Sequence, residues 1–214
     1  MTAEVLSDNA LLKELHWSGS YFADYGLHSD VVGLRDTRVG QNGQTPIIEK
    51  RRVVRKLPKP QYVKVEGYIN LFPFILTILQ PDSPELGATL RNLQRDTTVW
   101  SAYGLCSIGK TDSYYLKYNT QHDQPYWRGP IWININYLAI RALDHYAKVP
   151  GPYAELCAGL YARLRRNVVD NIYREYKRTG YIWEQYNCQT GKGQSVHPFT
   201  GWSSLEVLIM GEQY

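Results

Sequence analysis

PIWININYLAIRALDHY, residues 130–146, sets Ile131, Ile135, Leu138, Ala142 and Tyr146 at steps of three and four. That spacing puts all five on one face of a helix, and Pro130 at its head has the backbone angle a first turn needs. Downstream, Gly151-Pro152 opens a second helix with Leu156, Leu160, Leu164, Val168, Ile172 and Tyr176 four residues apart, ending near Gly180. Upstream, Ser83-Pro84 forms an N-cap and first-turn pair for a helix through Leu86, Leu90 and Leu93. Tyr68–Leu79 reads as a buried helix with Pro73 in its first turn. Asp8 caps a short one bearing Leu11, Leu12 and Leu15, and a last one runs from about Trp202 through Ile209. Six helices, no confident strand run and alternately short and long loops predict an all-α fold. Ring-rich loops arriving at helix starts suggest a partial helical toroid with long irregular loops.

Between the first two helices, residues 31–59 are basic and punctuated by Gly and Pro, and read as an exposed loop or a short hairpin turning at Asn42-Gly43. The run KRRVVRKLPKP (residues 50–60) interleaves valines with its cations and holds no aromatic platform. Net charge over the 214 residues is only +4, so no nucleic-acid partner is expected. The N-terminus lacks a charged start followed by an apolar run, and the longest apolar stretch, LFPFILTIL (residues 71–79), is too short to span a bilayer. Cys106, Cys157 and Cys188 show no metal spacing and allow one disulfide. His16, His28, His122 and His197 form no zinc motif, GKGQS (residues 191–195) lacks the phosphate-loop spacing, and Ser203 lies in no nucleophile elbow. No metal and no cofactor are expected.

The chain has 18 Tyr and 6 Trp against 4 Phe, which suits a wet groove or sugar-binding cleft, although composition alone favours a core with polar edges. Tyr and Trp join an apolar face to a hydrogen-bonding tip. Three segments concentrate rings with polar groups: SYFADYG around Asp24, QHDQPYWRGPIWININY (residues 121–137), and YIWEQY around Glu184. A carboxylate among rings is pushed toward neutrality by burial and toward charge by a nearby cation, with Arg128 a candidate for the second influence. That balance suits a general base. Sugars lay C–H faces on rings and present hydroxyls to Asn, His and Arg, and Trp127, Arg128, Trp132, Asn136 and His122 offer both kinds. The structural alternative stands beside it: Trp132 opens a helix and can point into the core, and Arg128 can cap a neighbouring helix. At this level a carbohydrate-processing enzyme and a non-catalytic carbohydrate-binding or structural helical domain both remain open.

The blocks HWSGSYFADYGLHS, GYINLFPFIL, QHDQPYWRGPIWININYLAIRALDHY, GYIWEQYNCQTGKG and HPFTGWSSLEVLIM follow one another in the order found in glycoside hydrolase family 63. Together they resemble the C-terminal catalytic region of its processing α-glucosidase I (mannosyl-oligosaccharide glucosidase) members. The resemblance covers nearly the whole of residues 1–214, is strongest over 121–210 and is weakest in the basic segment. It implies an (α/α)6 toroid and inverting removal of the terminal α-1,2-linked glucose from the N-glycan precursor oligosaccharide. It also implies a lumenal endoplasmic reticulum location, with a membrane anchor and the general acid both upstream of Met1. On that resemblance Glu184 is the general base, and Trp127, Arg128, Gly129 and Trp132 shape the pocket for the terminal glucose. Asn136, Trp183 and Tyr186 are expected to contact sugar beside them, with Asp24 part of the wall or its support. The chain is thus expected to be the C-terminal part of a longer catalytic domain, inactive by itself.

Overall fold

The computed structural model describes residues 8–40, 47–118 and 124–211. The chain divides into two compact units, one formed by Met1–Ala23 with Val65–Tyr214 and the other by Asp24–Lys64. The expected turn at Asn42-Gly43 and the expected sugar partner His122 lie outside the described residues.

Among the described residues six helices form, all in the first unit, at the six places the apolar spacing marks. In α1 (Asn9–His16), the Asp8 carboxylate accepts from Ala10 N–H at 2.9 Å and Leu11 N–H at 3.2 Å, closing two of the orphan donors of the first turn. The Tyr68–Leu79 segment is less regular than expected. It runs as a 3-10 turn (Tyr68–Leu71) into the one-turn α2 (Phe72–Ile75), and Thr77, at φ 55°, takes the chain out of helix. Ser83 Oγ accepts Leu86 N–H at 3.1 Å to start α3 (Pro84–Leu93).

The longest helices, α4 (Ile133–Lys148) and α5 (Ala154–Thr179), pack against each other. The buried stripe of α4 (Ile133, Ile135, Ala139, Ile140, Ala142, Leu143, Tyr146) meets that of α5 (Cys157, Leu160, Leu164, Val168, Ile172) in one continuous core. α4 begins three residues later than Pro130 suggests. Ile131 is committed to extended pairing, bridging Cys106 on one side and Tyr186 on the other. Gly180, in the left-handed region at φ 77°, stops α5. A 3-10 turn (Trp202–Leu205) leads into α6 (Glu206–Gly211).

The all-α expectation is overturned by eight strands, among the described residues, in four antiparallel pairs. In the first unit, β5 (Trp100–Ser101) pairs with β6 (Gly104–Leu105), and β7 (Gln185–Tyr186) with β8 (Gly193–Gln194). The described elements of the second unit are all strands. Its outer pair joins β1 (Tyr25–His28) to β4 (Lys59–Tyr62), and its hairpin joins β2 (Val32–Val39) to β3 (Ile47–Val54) in register from Val32↔Val54 to Val39↔Ile47. The hairpin reading of the basic segment therefore holds, with strands of eight residues each. Two-residue strands escape any periodicity, and β2 and β3 lack alternation because both their faces are largely exposed.

Candidate active site

The segment Gly180–Gly193 is held from behind by α5 and from the side by the core. Asn171 Nδ2 donates to Gly191 O at 3.0 Å, and Glu175 accepts Gly193 N–H at 2.9 Å while pairing with Arg178 at 2.7 Å. Two glycines are required here. A Cβ on Gly193 would stand 2.1 Å from the Trp183 ring, and one on Gly191, at φ 73°, would stand 2.2 Å from Asn171 Oδ1. Tyr186 and Ile131 exchange backbone hydrogen bonds at 2.7 and 3.0 Å, and a disulfide joins Cys188 to Cys106. The segment bearing Glu184, which runs into β7, is thus fixed along its length.

Glu184 is 6% exposed. Its Oε1 accepts the Tyr126 hydroxyl at 2.8 Å, and its Oε2 accepts the Ser195 hydroxyl and, at 3.5 Å, Val196 N–H. Burial pushes the carboxyl up, but these donors together outweigh it and hold it below the ordinary carboxylate range. Arg128, the cation expected to do this, is engaged elsewhere: its guanidinium donates to Tyr118 O at 2.9 Å and lies over the Tyr114 ring. The backbone is fixed as well. Glu184 N–H donates to Val196 O at 2.9 Å, and Trp202 Nε1 donates to Glu184 O at 2.8 Å. Ser203 Oγ donates to Trp183 O at 2.6 Å. A carboxylate has about four acceptor positions, so these contacts leave room for a proton from water.

Rings gather around the acid. Trp127 lies flat on Trp132, with centroids 3.9 Å apart and planes within 4°. Tyr126 meets Trp132 edge-on at 4.8 Å, and Trp202 leans on it at 5.4 Å. Trp132 is fully buried, so it backs the wall, whereas Trp127, 40% exposed and at φ 59°, presents the outer face. Gly129, at φ 131°, donates its N–H to Ser107 Oγ at 2.9 Å and admits Leu116 and Tyr115 where a Cβ would clash.

Two expected sugar contacts are interior instead. Asn136 has no exposed surface, and its amide is spent on Leu105, Trp132 and the Tyr68 hydroxyl, tying α4 to β6. Tyr186 is likewise fully buried, with its hydroxyl accepting Trp183 N–H at 3.2 Å. Both position the site from behind. Trp183 is half-buried, donates Nε1 to Thr179 Oγ1 at 3.2 Å and carries His197 on its ring at 3.8 Å. Asp24 belongs to the second unit, exposed, with its carbonyl accepting Val63 N–H at 2.8 Å.

Sequence reasoning missed Tyr126, Ser195 and Trp202. Tyr126 stood inside a quoted cluster but beside more conspicuous tryptophans. Ser195, eleven residues beyond Glu184, carries no local signal. Among the described residues, no group of His, Cys, Asp and Glu fits a metal ion, and no helix is long and apolar enough to cross a membrane. Glu206 is held near neutrality, as an acid would need, but its two oxygens are buried, so it presents no proton to a ligand.

The family described as glycosyl hydrolase family 63 C-terminal domain matches residues 1–212. The mannosyl-oligosaccharide glucosidase GCS1 of Arabidopsis thaliana is 45% identical over 219 aligned positions, covering all of this chain and 25% of that protein. The same plant's alpha-glucosidase 2 is 40% identical, covering 99% of this chain and 27% of its own length. The chain therefore spans about a quarter of the length of the curated relatives it matches. Among solved structures, a mannosylglycerate hydrolase of the same family from Thermus thermophilus, in complex with glucose, superposes with a TM-score of 0.52 at 21% identity. The match covers 71% of this chain and 31% of that one.

Proposed function

The chain belongs to glycosyl hydrolase family 63, and from that premise we propose that it supplies the general base and part of the glucose pocket of an inverting α-glucosidase. The carrying observation is the Glu184 carboxylate, buried, held ionised by Tyr126 and Ser195, with Tyr126 packed edge-on against the stacked Trp127 and Trp132. In this reading Glu184 takes a proton from a water that attacks the anomeric carbon. The glycosidic bond breaks as a second carboxyl protonates the leaving oxygen. Water must fit between the two carboxyls, which requires about 6.5–9.5 Å. We assign that acid to the three quarters of the relatives' length that this chain does not span.

The substrate we propose is a glucosylated N-glycan oligosaccharide, because relatives 36–45% identical are named mannosyl-oligosaccharide glucosidases. It follows that the protein works in the secretory pathway, on the lumenal side of the endoplasmic reticulum, where that glycan is met. Trp127 offers its ring to the C–H face of the terminal glucose, and Trp132, Gly129 and Asn136 keep that ring in place.

The test is a chimera in which residues 1–214 replace the matching quarter of the Arabidopsis enzyme. It should release glucose from a glucosylated oligosaccharide, first as the β-anomer. Glu184→Gln should lower kcat by about 10²–10⁴-fold while oligosaccharide binding survives. Near-normal turnover in the Gln variant would remove Glu184 from the reaction.

A further inference from the structure

Glu206 is the first residue of α6. It is 4% exposed, and neither of its carboxyl oxygens has a hydrogen-bond partner among the described residues. Arg165, from α5, is the charged group that acts on it, and that guanidinium is already committed to the last carbonyls of α6: to Ile209 O at 2.9 Å and Met210 O at 3.1 Å. Tyr186, from β7, feels the carboxyl in turn, and α4, which also packs on α6, adds no group that shifts it. Burial pushes the carboxyl up to about 8, with Arg165 only partly opposing it. A neutral acid is tolerable in that setting, whereas a carboxylate without donors is not.

Glu206 is also joined to the proposed base. Its backbone N–H closes the Trp202–Leu205 turn on Ser203 O and Ser204 O. From the same turn, Trp202 Nε1 holds Glu184 O at 2.8 Å and Ser203 Oγ holds Trp183 O at 2.6 Å. An ionised Glu206 must reach water or draw Arg165 off the α6 carbonyls, and either movement shifts the turn.

We propose that Glu206 is a positioning residue and a built-in alkaline switch: uncharged, it seats the turn that holds the Glu184 segment, and charged, it releases that turn. The inference rests on the reading of Glu184 as the base for its functional meaning, but the switch itself is a property of this chain.

The experiment titrates the 214-residue chain from about pH 5 to about pH 10, following tryptophan emission and the infrared carbonyl band of a protonated carboxyl. The expected result is one reversible change in both, with midpoint near 8. Glu206→Gln and Glu206→Leu should abolish it and keep the low-pH emission. Stability gives an independent readout. A folded pKa above the unfolded one contributes stability in full below about 4.5, loses it as pH rises, and levels off beyond about 8. Across that window Tm should therefore fall further in the wild type than in Glu206→Gln.

No protonated-carboxyl band titrating near 8 in the wild type would overturn the proposal. So would an emission change that survives in either variant. Glu184→Gln should retain the transition. If it does so and also keeps turnover in the chimera, the assignment of the base fails and the switch stands. If Glu184→Gln abolishes turnover and no transition exists, the switch alone fails.

Discussion

Three donors converge on the Glu184 carboxyl, and their joint effect outweighs the cost of burying it. A hydrogen bond to a charged group contributes roughly 1.5–3 kcal/mol, or about one to two pKa units. Removing one donor should therefore raise the pKa of Glu184. If Glu184 is the base proposed above, it works only when ionised, and Tyr126→Phe or Ser195→Ala should move the acidic limb of kcat/KM upward by about one pH unit, as pH–rate profiles of the chimera would read. The massing of rings near Glu184, and the neighbourhood of Trp127 and Trp132, were legible from the sequence. The donors were not, because a serine hydroxyl eleven residues along a loop is brought to the acid only by the fold of that loop. Arg128 illustrates the converse. Sequence proximity to Trp127 made it a plausible partner for Glu184, yet the nearby Tyr118 carbonyl and Tyr114 ring take its charge.

The segment after Glu184 is fixed at the level of elements by a short ladder, Cys106–Ile131–Tyr186, and by the disulfide beyond it. The bond closes a separation of 82 residues, for which chain entropy gives a stabilisation of about 4.5 kcal/mol. Cys106→Ser, or reduction, should lower the unfolding free energy by about 2–5 kcal/mol in a urea titration; Cys106→Ser should no longer respond to reductant, whereas Cys157→Ser, at a free buried thiol on α5, should still lose stability on reduction. The two longest helices, α4 and α5, could be read because their stripes continue for three turns or more. The ladder could not, since each member contributes one or two residues and pairs with a segment tens of residues away. Its existence also explains why α4 starts at Ile133: Pro130 fits a first turn, but Ile131 gains partners on both sides by staying extended.

For the whole molecule, the division into two units decides what can be removed. The first unit contains the continuous buried core, all six described helices and every residue assigned to the Glu184 site apart from Asp24. The second carries nine Lys and Arg against four Asp and Glu over residues 24–64, so it holds more than the chain's whole net charge of +4. That excess is why its strands resisted reading. Cations and isolated apolar residues occur on both faces of β2 and β3, so no buried face imposes a period of two. Its two ends lie side by side, with Tyr25 opposite Tyr62 and Val63 N–H donating to Asp24 O at 2.8 Å. Replacing residues 26–61 by a two-residue Asn-Gly turn between Tyr25 and Tyr62 should therefore leave the first unit folded. Near-ultraviolet circular dichroism should keep the signature of its stacked tryptophans, and Tm should change by no more than about 4 °C, as expected when under about 1 kcal/mol is lost. Collapse of that spectrum would mean that the core of the first unit depends on the β unit and that the two do not fold as separate bodies.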